Sequence, residues 1–566
     1  MPRILALSII SLAVTTSTTT YAANAETSAH VGANTSQRVH PLLVGNEHNV
    51  LITVAIEVDR PGVRVKSFTF SLDGPLTPEN DNPLRDIDSV EMFFSDHHRP
   101  HELDQLRNGK TFVGDRRSLM TELTVAFGGA CQPQARVQFH GDRLLAPGTN
   151  YFWLSCKLRE DAELGHKLDA TCLGIDTTAG PITPHDASPG VHKRIGYALR
   201  KRYDDGVHTC RIPALTVTPK GTLLCVYDLR RTKRRDLQED IDIGLSRSTD
   251  GGRGWEPMRV IMDMGQYEGL PENRNGCSDP GIVVDSATGD IFCAAVWMWG
   301  KSGKHQWASD GSAPGFEIGE SAQFLMIRSQ DDGVSWSEPE NLTRALKQRE
   351  WLLVAPSPQA GLTLRDGTLV LPIEGLAGGD PADPDQLTIG FSSLMTSRDH
   401  GESWTVGSVD AIGNGECQVV ELRDGSILLN SRSAKSIKHR SVWVTKDLAQ
   451  TWQPHATHRK ALIEPSCNGS MIRVEYVNDG EPVDILVFTN CHSQTVRSHQ
   501  TLQVSFDEGL TWPEQYHFLL DEGLGNGYPS IAQIDDRHLG IVYEGSQAHL
   551  VFEKIAIAEL LRPSSR

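Results

Sequence analysis

The chain is poor in positive charge: 54 Lys and Arg stand against 72 Asp and Glu, a formal net charge of −18. That deficit excludes nucleic acid as the general partner, since phosphate backbones demand a cationic face. Beyond the first 25 residues no apolar run approaches membrane-spanning length, so no transmembrane segment is expected. Ten cysteines occur without a single Cys-x-x-Cys pair, which removes the usual redox and zinc signatures. The 21 histidines show no metal-ligand spacing, and neither a metal nor a cofactor is expected. One basic run opposes the acidic trend, Arg230-Arg-Thr-Lys-Arg-Arg235. Its ordinary reading is a solvated face; in an acidic chain it can also gather an anionic substrate.

What is present divides the chain. Arg3, the apolar run Ile4–Val14 and the small residues of Tyr21-Ala-Ala-Asn-Ala25 read as an export signal over residues 1–25. A periplasmic or secreted protein is therefore expected. Export permits disulfides, and Cys467 with Cys491 is a weak candidate pair beside the alternative of buried thiols. Residues 37–178 hold strand-like runs (Asn49–Ile56, Ser67–Ser71, Ala135–Phe139, Asn150–Leu154) separated by turn signals such as Asp73-Gly74-Pro75. They predict a smaller β-sandwich domain. Residues 179–192, rich in Pro, Thr and Gly, read as a linker.

A phrase then recurs: Ser-x-Asp-x-Gly-x-Thr/Ser-Trp. It occurs as Ser329–Trp336, Ser397–Trp404 and Ser505–Trp512, with degenerate copies at Ser248–Trp255 and Thr445–Trp452. Each follows an apolar or alternating stretch, and its Asp-x-Gly centre is a turn signal. The Trp is expected to pack back on its own hairpin. Start-to-start spacings of 81, 68, 48 and 60 residues rule out a fixed-period solenoid. They fit a propeller, whose blades tolerate long loops. The expected fold is all-β: a six-bladed β-propeller over residues 193–562, preceded by the sandwich.

The phrase resembles the Asp box of sialidases, which is not itself catalytic and also occurs in propellers without activity. Further resemblances to that family follow in order. Cys210-Arg-Ile-Pro213 is similar to its Arg-Ile-Pro signature, with Cys210 where the family usually has Tyr or Phe. Asp228-Leu-Arg230 with Asp236 matches the second arginine and the acid/base Asp. Asn414-Gly-Glu416, Leu429-Asn-Ser-Arg432, Arg497 ahead of the last box, and Asn526-Gly-Tyr528 match the remaining segments.

The resemblance implies an exo-α-sialidase acting on sialylated glycoconjugates, with these roles. Arg211, Arg432 and Arg497 grip the substrate carboxylate, for which planar bidentate arginine suits better than lysine. Tyr528 is the nucleophile and Glu416 its base. Retaining glycosidases generally attack with a carboxylate and sialidases are the exception with Tyr; a second anion would be repelled by the anionic anomeric centre. Asp236 is the acid, which implies a pKa raised by burial or by substrate charge; Asp240 and Asp242 are its competitors. Arg230 and Asp279 contact substrate polar groups, and Trp299 and Trp307 offer an apolar wall for the N-acetyl group. Two alternatives remain at this stage, a trans-sialidase and a non-catalytic lectin. Oligomeric state is not legible.

Overall fold

The computed structural model describes residues 30–74, 82–95, 124–300, 303–308, 310–378, 388–409, 411–412, 414–478 and 480–563. The expected export signal lies outside the described residues. No described helix is long and apolar enough to cross a membrane.

Nearly all the regular structure is strand. The N-terminal region forms two sheets. One runs Val31–Ser36, Asn49–Val58, Gly148–Leu158, Ile87–Ser95; the other contains Lys167–Thr177, Arg64–Asp73 and Arg136–Leu144. The strands cover the runs read from the sequence, and the first begins six residues before position 37. Alternation, broken once in each strand near a register shift, explains the packing of Asn49–Val58 and Arg64–Asp73, so Val54, Ile56, Phe68 and Phe70 meet between the sheets.

The segment expected as a linker is not loose. It holds two short strands, Gly180–Ile182 and His185–Asp186, the second pairing in parallel with Val31–Ser36. Its Pro, Thr and Gly content misled because backbone pairing, not side-chain burial, holds it. Lys193–Arg200 then joins the two regions. It pairs with Lys167–Thr177 on one side and with Leu550–Ala556 on the other, making one nine-stranded sheet.

The rest is a β-propeller. Among the described residues six antiparallel arrays follow in sequence, their first strands being Thr209–Val217, Cys277–Val284, Trp351–Pro356, Asn414–Glu421, Ser470–Asn478 and Pro529–Gln533. Thr209–Val217 lies against both Cys277–Val284 and Pro529–Gln533, which closes the circle. The last array carries no Asp box. Its fourth strand is Lys193–Arg200, from the start of the region, so closure joins the two ends of the propeller region by main-chain hydrogen bonds.

Each Asp box links the third and fourth strands of its array, and all five adopt one geometry. Asp331 accepts from the Ser329 hydroxyl at 2.9 Å and the Ser335 amide at 2.8 Å, while the Gly333 amide donates to Ser329 at 2.9 Å. The degenerate copy does the same with Thr445, Asp447 and Ala449, whose φ of 64° lies in the left-handed region that glycine would enter freely. Threonine supplies the same hydroxyl as serine, which is why the turn survives.

The boxes also lock neighbouring arrays, a role not read from the sequence. The residue before the central glycine reaches the preceding array: Asp332 accepts from Thr218, Thr222 and Arg247, and His400 bonds Asp285 at 2.7 Å. Two box tryptophans do likewise, Trp255 against Phe552 and Trp404 against Phe292. This corrects the expectation that Trp packs on its own hairpin; Trp512 meets Phe488 on the second strand of its own array.

Candidate active site

Three of the arrays whose first strand slips in register carry cavity residues at the slip. The register of the first strand on the second slips between Arg211 and Ala214, between Ser278 and Gly281, and between Asn414 and Cys417. Each slip inserts one extra residue, a β-bulge, and a bulge re-aims side chains out of the strand's alternation. Ile212 and Asp279 take positive φ of 60° and 57° there, and Pro213 and Pro280 cannot donate to a ladder. The bulges thereby present Arg211, Asp279 and Glu416 to one end of the propeller axis. A cavity of about 780 Å³ opens there, lined among others by Arg211, Asp236, Asp279, Glu416, Arg432, Arg497 and Tyr528.

Tyr528 is its centre. The phenol donates a short hydrogen bond to Glu416 Oε1 and accepts from Arg432 Nη1 at 3.0 Å. The same nitrogen donates to Glu416 Oε2 at 2.8 Å. Arg211 and Arg497 lie over the Tyr528 ring, 5.1 and 5.2 Å from its centroid. Three guanidinium groups from three arrays thus surround one phenol. Burial and the Glu416 carboxylate push that phenol well above its usual pKa, against the pull of Arg432 and Arg497. Burial also opposes ionisation of Glu416, but Arg432, the Tyr528 hydrogen bond and Arg497 outweigh it and hold the carboxyl below its usual value. The pair therefore rests as neutral phenol and carboxylate, with the proton path already made.

The chain must turn tightly to place Tyr528. Gly527 has φ of 89°, and a Cβ there would lie 2.3 Å from Cys491 Sγ and 3.3 Å from Cys467 Sγ. Cys467 and Cys491 are both buried and are not joined to each other, so the disulfide expected as a candidate is not met. Arg497 is fixed by donating to Asn526 O at 3.1 Å and Ser466 O at 3.2 Å.

Asp236 stands across the cavity. Its Oδ1 lies 2.6 Å from Arg230 Nη1 and 3.9 Å from Arg211 Nη1, and its Oδ2 lies 3.4 Å from His305 Nε2. Burial would raise its pKa, yet Arg230, His305 and Arg211 together hold it far below the carboxylate range. The rise that burial alone would give is therefore absent from the resting site, where the arginines and the His305 hydrogen bond outweigh it. Asp240 and Asp242 do not line the cavity. Asp242 pairs with Arg231 at 2.6 Å and is pushed up to about 7 by burial and Asp263.

Arg230 is fully buried and reaches Asp236 while donating to Asp228 at 2.9 and 3.1 Å, so it positions the acid. Asp279 lines the cavity, accepts from Gln306 at 2.5 Å, and is driven well above the usual range by burial, Asp228 and Asp236. Trp307 lines the cavity but Trp299 does not. Trp299 donates to Tyr267 O at 3.4 Å and packs beneath Gly319, a structural tryptophan of the kind that outnumbers ligand-binding ones.

Sequence reasoning missed Glu544, Glu374 and His305. Glu544 is buried, clamps Arg211 with two bonds of 3.0 and 3.1 Å and accepts the Ile212 amide at 2.8 Å. Glu374 lines the cavity, and its buried Oε1 has no hydrogen-bond partner among the described residues. Both end apolar strand runs, Gly540-Ile-Val-Tyr-Glu544 and Leu369-Val-Leu-Pro-Ile-Glu374. A carboxylate there needs a partner, and that was the readable signal.

A propeller with paired acid and base groups around an arginine-lined axial cavity has the equipment of an Asp-box glycosidase. Comparison with known proteins bears this out. A BNR repeat-like domain matches residues 208–543, and the N-terminal domain of BNR-repeat neuraminidase matches residues 31–177. A sialidase of Bacteroides fragilis is 37% identical over 432 residues, 76% of this chain and 77% of that protein. A sialidase of Paraclostridium sordellii is 30% identical over 363 residues, 59% of this chain and 81% of that protein. The solved structure of the Hadza microbial sialidase Hz136 superposes with a TM-score of 0.82 at 33% identity, over 93% of this chain and 99% of that one. The chain belongs to the BNR-repeat neuraminidase family and is a glycoside hydrolase of the sialidase class.

Proposed function

We propose that the protein is an exported exo-α-sialidase that removes terminal sialic acid from glycoconjugates with retention of configuration. The observation that carries the reading is the hydrogen-bonded set of Tyr528, Glu416 and Arg432 with Arg211 and Arg497 over the ring. The three arginines receive the sialic acid carboxylate, which sits on the anomeric carbon and so brings that carbon to Tyr528. In the first displacement the Tyr528 oxygen bonds to the anomeric carbon, its proton passes to Glu416, and the glycosidic bond breaks with a proton from Asp236 to the leaving oxygen. In the second, Asp236 takes a proton from water, the water oxygen bonds to the anomeric carbon, and Tyr528 leaves with the proton returned by Glu416.

Asp236 rests as a carboxylate beside Arg230 and Arg211. The incoming substrate carboxylate engages Arg211, withdraws that cation from Asp236 and raises its proton affinity, so binding loads the acid. Asp279, neutral and buried, and Trp307 line the rest of the sugar site.

The test is release of a fluorophore from an aryl α-sialoside. Wild type turns over, and Tyr528→Phe loses activity by about three orders of magnitude or more, as removal of a nucleophile does. Binding without turnover by the wild type would support a lectin and defeat the proposal.

A further inference from the structure

We propose that the leaving-group side of the pocket is built for an aglycone with its own negative charge, a sulfate ester or carboxylate on the sugar next to the sialic acid. This rests on the proposed function, because it takes Asp236 as the donor to the leaving oxygen. Whatever borders Asp236 on the open side therefore borders the aglycone.

That border is the basic run, which the catalytic account leaves unused beyond Arg230. Arg230 Nη1 donates to the Arg234 carbonyl at 2.7 Å and lies 2.6 Å from Asp236 Oδ1, so one buried nitrogen ties the run to the acid. The Arg234 side chain crosses toward the nucleophile loop, where Nη2 donates to Asn526 Oδ1 at 3.2 Å, two residues before Tyr528. It is exposed, yet feels the Arg211, Arg230 and Arg497 charges and that of Glu544. Arg235 is held by the carbonyls of Gly303 and Lys304, beside His305 of the cavity wall.

Lys233 and Arg235 share the single carboxylate of Glu239, Lys304 pairs with Asp310, and Arg234 bonds the neutral Asn526 amide. A chain with a net charge of −18 holds this basic run next to Asp236, which lines the pocket. An ordinary solvated face needs no anchoring, whereas this segment is fastened by a buried arginine and by two carbonyls of another loop. The sialic acid carboxylate already has three arginines deeper in the cavity. A neutral galactose leaving group has no use for the outer charge, while an anionic one gains from it at short range and loses the gain in salt.

The test compares kcat/KM for 3′-sialyllactose, for the same trisaccharide sulfated on the galactose 6-hydroxyl, and for α2,8-disialic acid, with wild type and Arg234→Gln. Wild type is expected to favour the sulfated over the unsulfated trisaccharide by about fivefold at low ionic strength, the scale of one exposed charge pair, equivalent to about 1 kcal/mol. The preference should shrink toward unity in high salt and in Arg234→Gln. An equal loss on the disialic acid in the variant identifies a carboxylate as a second accepted group; no loss there identifies the sulfate ester as the occupant. A sulfated-to-unsulfated ratio at or below one in wild type, or a ratio unchanged by Arg234→Gln, overturns the inference while leaving the sialidase reading intact. Failure to cleave any of the three overturns that reading instead.

Discussion

Replacing Glu544 by Gln tests whether a residue that touches no substrate governs the carboxylate grip. Glu544 is 1% exposed and holds Arg211 through Nε at 3.0 Å and Nη2 at 3.1 Å. Glutamine keeps the shape and can still accept from Nε and from the Ile212 amide, but its NH2 group faces Nη2 donor to donor. One charge-assisted bond is lost, worth about 1.5–3 kcal/mol, and Arg211 is released toward Asp236, 3.9 Å away. If the whole loss falls on the transition state, kcat/KM drops about 10- to 150-fold. The assay is steady-state hydrolysis of an aryl α-sialoside, with a thermal melt on the same sample to separate misfolding. KM should rise, because the ground-state carboxylate uses the same guanidinium. A variant within twofold of wild type in kcat/KM, at equal melting temperature, would refute the claim that Glu544 sets the Arg211 geometry.

Asp236→Ala should depend on the leaving group: sialyllactose turnover falls about 10²- to 10⁴-fold, the range of general acid catalysis, whereas an aryl sialoside with an acidic phenol loses far less. Equal losses on both would deny Asp236 the acid role. Lys193 supplies a stability test. It is fully buried, and burial brings its pKa down to about 7 from 10.5. The folded value lies below the unfolded one, so the unfolded chain binds the extra proton between them and stability rises with pH across that window. Unfolding free energy should gain about 2 kcal/mol from pH 7 to 9, and Lys193→Met should abolish the gain in denaturant titrations; an unchanged slope would contradict it.

The sequence carried the architecture wherever a local rule sufficed. The boxes were legible because one hydroxyl, one carboxylate and one left-handed residue make the turn, and Thr445 with Ala449 shows how much substitution that rule allows. Nothing local marked the last array, because its fourth strand, Lys193–Arg200, comes from more than 300 residues earlier. The same limit hid the contacts between arrays made by Asp332 and His400. In the site, Arg211, Glu416, Arg432, Arg497 and Tyr528 were legible through ordered resemblance, and the structure brings them together. Trp299 was not separable from Trp307, since only three-dimensional placement tells a wall from a core. The resting state of Asp236 was not legible, because burial is visible in a pattern, whereas Arg230, Arg211 and His305 closing on one carboxylate is not.

The most direct measurement is mass spectrometry of the enzyme trapped with an α-sialoside analogue fluorinated at carbon 3, which slows release of a covalent intermediate. The account predicts one sialyl adduct on the peptide carrying Tyr528, at its phenolic oxygen, and none in Tyr528→Phe. An adduct on Glu416 or Asp236 would contradict it.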